Sequence, residues 1–110
     1  MTDEEFEDVV RAALDSVPEE IARQIENVAI VVEDEDPQSP EILGIFSGYP
    51  RGETMPSGAL PAKIVIYRRP LEAAYPDPDE LREQIRITVL HELAHYFGFD
   101  EDRLDDLGYG

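Results

Sequence analysis

The sequence contains no cysteine and no tryptophan, and it has only two histidines among 110 residues. Without cysteine, the chain can form neither a disulfide framework nor a thiolate metal site. A metal ion bound by this chain therefore needs imidazole or carboxylate ligands. Basic side chains are also scarce, because nine lysines and arginines stand against 26 aspartates and glutamates, for a formal net charge of −17.

This acidity bears on the partners that the chain can bind. Nucleic acid and anionic membrane surfaces both favour basic side chains, so we expect neither as a partner. A positively charged partner or substrate would be attracted to the chain. Solvation alone also explains such a charge, and both interpretations stay open.

Long apolar runs are absent as well. No stretch approaches the ~20 apolar residues that a transmembrane helix needs, and residues 1–5 lack the basic and apolar regions of a signal peptide. We therefore expect a cytoplasmic protein. The hydrophobic content of 42% and the charged content of 32% are typical of a globular chain, and the length suits a single domain over residues 1–110.

The amino-terminal segment has the signature of a helix. Residues 3–15 carry apolar side chains at helical spacing, and Thr2 and Glu5 are placed to form a capping box. A short second helical turn is expected over 18–24. Both segments are interpreted as scaffold.

A longer helix is expected in the second half of the chain. Asp77 is placed to cap it, Pro78 suits its first position, and Glu80 completes a capping box. The segment continues to Phe97 without an internal glycine or proline. Apolar residues cover most of its circumference, which predicts a largely buried helix.

Three short apolar segments predict strands, at 27–33, 42–46 and 63–67. Pro70, shortly after the third segment, suggests that this strand lies at an edge of the sheet. The acidic connection 34–40 lacks the glycine and the spaced oxygen ligands of a calcium loop, so we interpret it as a solvated turn.

The segment 47–61 is rich in glycine and proline and predicts a long loop. Such a loop either borders a substrate cleft or is a tolerated insertion, and the sequence does not separate the two. Residues 100–110 form an acidic tail, in which 103–107 has the pattern of one further helical turn.

The two histidines lie four positions apart on the long helix, in the pattern His91-Glu92-x-x-His95. Side chains at this spacing share one helical face, so both imidazoles can reach one ion, as in zinc-binding H-E-x-x-H helices. Glu92 projects about 100° round the helix from His91, beside the ion, where it can accept a proton from a zinc-bound water. The alternative is a core helix whose two histidines are satisfied by their neighbours.

A third ligand is expected shortly after this helix. Gly98 tolerates the left-handed conformation that ends a helix and turns the chain back, which would bring Glu101 to the metal. Asp100 and Asp102 would point away if the segment is extended, because successive side chains alternate. Asp105 competes with Glu101 if the tail forms a helix that folds back over the site.

These residues resemble the zincin-like metallopeptidases. The segment 91–98 followed by Glu101 resembles their motif, and it resembles more narrowly a bacterial family of very small members that was once filed as a domain of unknown function. The resemblance extends to 27–33, 43–46 and 83–90, and so covers most of the chain.

The resemblance implies an α+β fold, a minimal zincin-like core. Its small three- or four-stranded sheet, mixed or antiparallel, would pack against an N-terminal helix and a C-terminal active-site helix. It also implies one catalytic Zn²⁺ held by His91, His95 and Glu101, with Glu92 as the catalytic general base. Members of the family usually carry Asp at the position of Glu101, so this chain differs there by one methylene.

The implied activity is that of a zinc metallopeptidase, a hydrolase in which a zinc-bound water attacks the carbonyl of a peptide or protein substrate. The peptide would add to an edge at strand 63–67. Tyr67, Tyr96 and Tyr109 are candidates for stabilising the oxyanion, although each is also a plausible packing residue. The competing interpretations are a zinc-stabilised binding module without turnover and a metal-free acidic interaction domain.

Overall fold

The computed structural model describes residues 1–25, 28–48 and 62–98. Within these residues, helices and strands combine into an α+β fold with one three-stranded sheet, which confirms the predicted fold class. The elements in chain order are α1 (Asp3–Asp15), α2 (Glu19–Ala22), β1 (Val28–Glu33), β2 (Gly44–Ser47), β3 (Ala62–Tyr67), α3 (Arg68–Ala74) and α4 (Pro78–Tyr96).

Helix α1 forms as its sequence predicts. The Thr2 hydroxyl accepts a hydrogen bond from the Glu5 backbone N–H at 3.1 Å, and the Glu5 carboxylate accepts one from the Thr2 backbone N–H at 3.3 Å. This reciprocal capping box satisfies two of the N–H groups that a helix leaves unpaired at its start. Phe6 and Val10 are buried, and they fix α1 against the core.

The sheet is mixed, with the strand order β1–β3–β2. Strand β1 pairs with β3 in parallel, from Val28 opposite Ala62 to Glu33 opposite Tyr67. Strand β2 pairs with β3 in the antiparallel direction, with Gly44 opposite Ile66. Strand β3 is therefore the central strand.

The prediction that the third strand lies at an edge is wrong, and so is the idea that a peptide adds to strand 63–67. Both sides of β3 are already hydrogen-bonded to neighbouring strands. Pro70 does not cap an edge strand; it lies in the first turn of α3, where a missing N–H costs no helical hydrogen bond. The uninterrupted apolar run Ile64-Val65-Ile66 is the signal of a central strand that the proline obscured.

The core lies between the sheet and helices α1 and α4. Ile64 and Ile66 of β3 are fully buried there together with Phe6, Ile85 and Val89. These side chains come from the centre of the sheet and from the inner stripes of the two long helices. These contacts pack α4 against the sheet over several helical turns.

Helix α4 runs beside β2. A Cβ atom added to Gly44 of β2 would lie within 3.4 Å of Thr88 and Glu92 of α4. Further along the same strand and helix, the ring centroids of Phe46 and Tyr96 are 6.2 Å apart. The C-terminal half of α4 therefore lies along β2, which among the described residues pairs on one side only, with β3. None of the helices in the described part of the chain has both the length and the apolar character needed to cross a lipid bilayer.

Candidate metal centre

Helix α4 is a fixed platform for the residues that it carries. It begins as predicted, with the Asp77 carboxylate accepting a hydrogen bond from the Glu80 backbone N–H at 3.0 Å and Pro78 in the first turn. Leu81 and Leu93 are each 4% exposed, so the helix is anchored in the core at both ends. A ligand set carried by such an element keeps its geometry better than one carried by a loop.

His91 and His95 approach each other on one face of α4. Their Nε2 atoms are 3.2 Å apart, and their ring centroids are 4.9 Å apart with the ring planes at 73°. Two nitrogens bound to a tetrahedral zinc at 2.0–2.1 Å would lie ~3.3–3.4 Å from each other. The spacing of the two imidazoles therefore fits a shared zinc ion.

Glu92 lies next to this pair and is 7% exposed. One ligand atom from each of His91, Glu92 and His95 can be chosen so that all three lie within 4.8 Å of one another, a cluster that could hold a metal ion. Both histidines are only partly buried, so a ligand can reach them from solvent. The stem of the Glu92 side chain lies against the start of β2, where a Cβ on Gly44 would be 3.3 Å from Glu92 Cγ.

A sequence model of the zincin-like metallopeptidases matches residues 25–110, most of the chain. The chain belongs to the zincin-like metallopeptidase family. This confirms the resemblance found in the motif and in the upstream segments. Comparison with curated proteins gave no match.

Membership in a zincin-like family implies zinc, and the donor set of this chain agrees with it. Imidazole nitrogen and carboxylate oxygen are zinc ligands, and the residues that could supply them meet on α4. In the absence of cysteine, no thiolate competes for the ion. The residues present therefore fit the metal that the family implies.

The end of α4 agrees with the predicted turn. The helix ends at Tyr96, Gly98 has a φ of 88°, and its backbone N–H donates a hydrogen bond to the His95 carbonyl oxygen at 2.9 Å. A positive φ of this size is readily adopted by glycine and is strained for other residues. Glu101, the expected third ligand, lies outside the described residues. Its competitors Asp100, Asp102 and Asp105 lie outside them as well.

Two of the three tyrosines proposed for the oxyanion occupy packing positions. Tyr96 is 4% exposed and its ring contacts that of Phe97, with the centroids 5.2 Å apart. Tyr67 alternates along β3 with Ile66, which belongs to the core under α4, so its side chain points to the opposite face of the sheet. Burial, together with the negative charge of Asp36, raises the pKa of Tyr67. Residues 49–61 of the predicted loop 47–61 lie outside the described residues, and so does the acidic tail 100–110, with Tyr109 and the predicted helical turn over 103–107.

Thr88 and Gly44 are two residues near the site that sequence reasoning missed. The Thr88 hydroxyl donates a hydrogen bond to the Gln84 carbonyl oxygen at 2.7 Å, which leaves its methyl group facing β2. Gly44 is the first residue of β2, and there the strand lies close to Glu92. A glycine inside a strand often marks such a close approach, and this was the signal available in the sequence.

Proposed function

We propose that the protein is a zinc-dependent metallopeptidase. In this proposal His91 and His95 bind the metal, Glu101 is the third ligand and Glu92 is the general base. The observation that carries it is the 3.2 Å separation of the two imidazole Nε2 atoms, with the Glu92 carboxylate beside them on a helix anchored in the core. Three protein ligands would leave a fourth position for water, which is the arrangement of catalytic zinc sites.

When bound, zinc would lower the pKa of a water towards ~7 and polarise the carbonyl of the scissile peptide bond. His91 and His95 would each present a neutral imidazole with its Nε2 lone pair toward the ion. Glu92 would accept a proton from the attacking water and then donate it to the nitrogen of the leaving amine. Because α4 is anchored in the core, these groups would keep their relative positions through the reaction.

The substrate would lie along β2 rather than along β3. Strand β2 is the one that lies beside Glu92, and within the described residues its second edge has no paired strand. An extended peptide can add to such an edge through backbone hydrogen bonds. This placement would bring a peptide bond to the exposed side of the histidine pair.

The test separates the peptidase from a zinc-binding module without turnover. Glu92→Gln keeps the size of the side chain and removes the base. We expect zinc content to persist in this variant while hydrolysis of a mixture of unstructured peptides falls by ~10²-fold or more. Glu83→Gln is the matched control, because Glu83 is an exposed glutamate on the same helix whose pKa is lowered by its hydrogen bonds to Arg86.

The control should hydrolyse peptides at the wild-type rate. Equal hydrolysis by wild type and Glu92→Gln would contradict a catalytic role for Glu92 and point to a contaminating protease. A wild-type protein that binds one zinc ion and hydrolyses no peptide would support the binding module instead.

A further inference from the structure

Gly44, the first residue of β2, faces α4 at an unusually short distance. A Cβ atom added there would lie 3.0 Å from Thr88 Cγ2, 3.2 Å from the Val65 carbonyl oxygen and 3.3 Å from Glu92 Cγ. All three distances are shorter than ordinary van der Waals contacts of a methyl group. The backbone of β2 can therefore lie where it does because residue 44 has no side chain.

The close approach concerns one face of α4. Thr88 and Glu92 are four residues apart, so they lie one above the other on that face, and both meet Gly44. His91 and His95 follow Thr88 by three and seven residues and so lie on the same side of the helix, but neither supplies one of the three atoms nearest to the added Cβ. A side chain at position 44 would therefore press on the Glu92 stem and on the turn before it, and the metal-binding pair would not be its direct neighbour.

The conformation of Gly44 does not itself require glycine. Among the described residues, the glycines with positive φ are Gly48 and Gly98. Alanine at position 44 is consequently allowed by the backbone, and its cost is the contact with Thr88 and Glu92 of α4 and with the Val65 carbonyl oxygen of β3. A single methyl group at position 44 therefore tests whether the distance between β2 and Glu92 matters.

We propose that Gly44 is a positioning residue, whose missing side chain sets the distance between β2 and α4 and thereby holds the Glu92 carboxylate beside the His91–His95 pair. The inference deepens the proposed peptidase function and rests on it for its kinetic consequence. Its structural part, the placement of the Glu92 side chain, stands independently of activity.

The kinetic experiment compares Gly44→Ala with Ala29→Ser, which adds one heavy atom at an exposed position of β1, on the far side of β3 from β2. A methyl group at position 44 needs a shift of a few tenths of an ångström, and misplacement of a catalytic group by 1 Å can cost ~10²-fold in rate. We therefore expect kcat to fall about tenfold in Gly44→Ala, with KM and zinc content unchanged. Ala29→Ser should match wild type.

Two double variants test whether Gly44→Ala lowers kcat by displacing Glu92. In Glu92→Gln, Gly44→Ala should reduce the residual rate no further, because the effect passes through Glu92. In Thr88→Ser, which keeps the hydroxyl and removes the nearest methyl, Gly44→Ala should cost less in kcat and in thermal midpoint. A cost that is the same in the Glu92→Gln background as in wild type would overturn the inference.

Two measurements need no activity. Replacing glycine by alanine where there is room usually raises the thermal midpoint, because the unfolded chain loses freedom; here we expect the midpoint to fall. A crystal structure of Gly44→Ala should show the Glu92 carboxylate displaced relative to the two imidazoles. An unmoved carboxylate would overturn the inference even if hydrolysis is observed, whereas a displaced carboxylate in a protein without hydrolysis would support it and reject the proposed function.

Discussion

Ile85 anchors the metal-binding helix, and its truncation should destabilise the protein without removing the metal site. The side chain is 0% exposed and lies in the core beneath the sheet-facing side of α4. Ile85→Ala removes three carbons, which at ~0.8 kcal/mol each gives roughly 2.4 kcal/mol of lost transfer free energy. The cavity left behind adds to this, so we expect a loss of about 3–4 kcal/mol in the free energy of unfolding.

Guanidinium unfolding of the metal-free protein measures this loss directly. With an unfolding entropy of ~2.1 cal/mol/K per residue over 110 residues, the thermal midpoint should fall by roughly 13–17 °C. Ile21→Ala is the matched control, because the same side chain is 40% exposed there, and it should cost less than about 1 kcal/mol. Equal losses in the two variants would refute the assignment of Ile85 to the core. Below its own midpoint, Ile85→Ala should still bind zinc in the same ratio as wild type.

Three further predictions concern other parts of the chain. Gly48 has a φ of 115°, and an added Cβ would lie 2.8 Å from the Cα of Ala62 on the opposite strand. Gly48→Ala should therefore lower the free energy of unfolding, measured by chemical denaturation, by ~1–3 kcal/mol. The hydrogen bond from Arg68 holds the pKa of Asp34 below its ordinary value of 3.8, so its contribution to stability is present above that value and is lost as pH falls through the lowered pKa. The acid loss of stability should accordingly be smaller in Asp34→Asn than in wild type, and identical pH profiles would contradict this. Zinc affinity should fall more than ~100-fold in Glu101→Ala and less in Asp105→Ala; the reverse order would transfer the ligand role to Asp105.

The features that the sequence predicts well are local. The cap at Thr2, the start of α4 at Asp77 and the spacing of His91 and His95 all depend on residues within one or two helical turns. Hydrogen bonds and helical geometry over such short distances follow from residue types alone. For that reason α1, α4 and the pairing of the two imidazoles agree with expectation.

The features that the sequence predicts poorly depend on contacts between residues distant in the chain. Strand order is one, since the apolar run of residues 64–66 indicates a central strand but does not identify β1 and β2 as its two neighbours. In the sequence Pro70 indicates the end of an edge strand, but in the fold it belongs to the first turn of α3, a helix that the sequence pattern does not predict. The role of Gly44 is another, because its distance from Glu92 is set by the packing of β2 on α4.

The zinc content of the purified protein and of its His91→Ala variant tests the central claim most directly. Both proteins should be prepared without added zinc, with Glu83→Gln as a variant on the same helix that leaves the two imidazoles intact. Because the Nε2 atoms of His91 and His95 lie 3.2 Å apart, elemental analysis should find close to one zinc ion per chain in the wild type and in Glu83→Gln. His91→Ala should lose it, and full retention of zinc in His91→Ala would contradict the site.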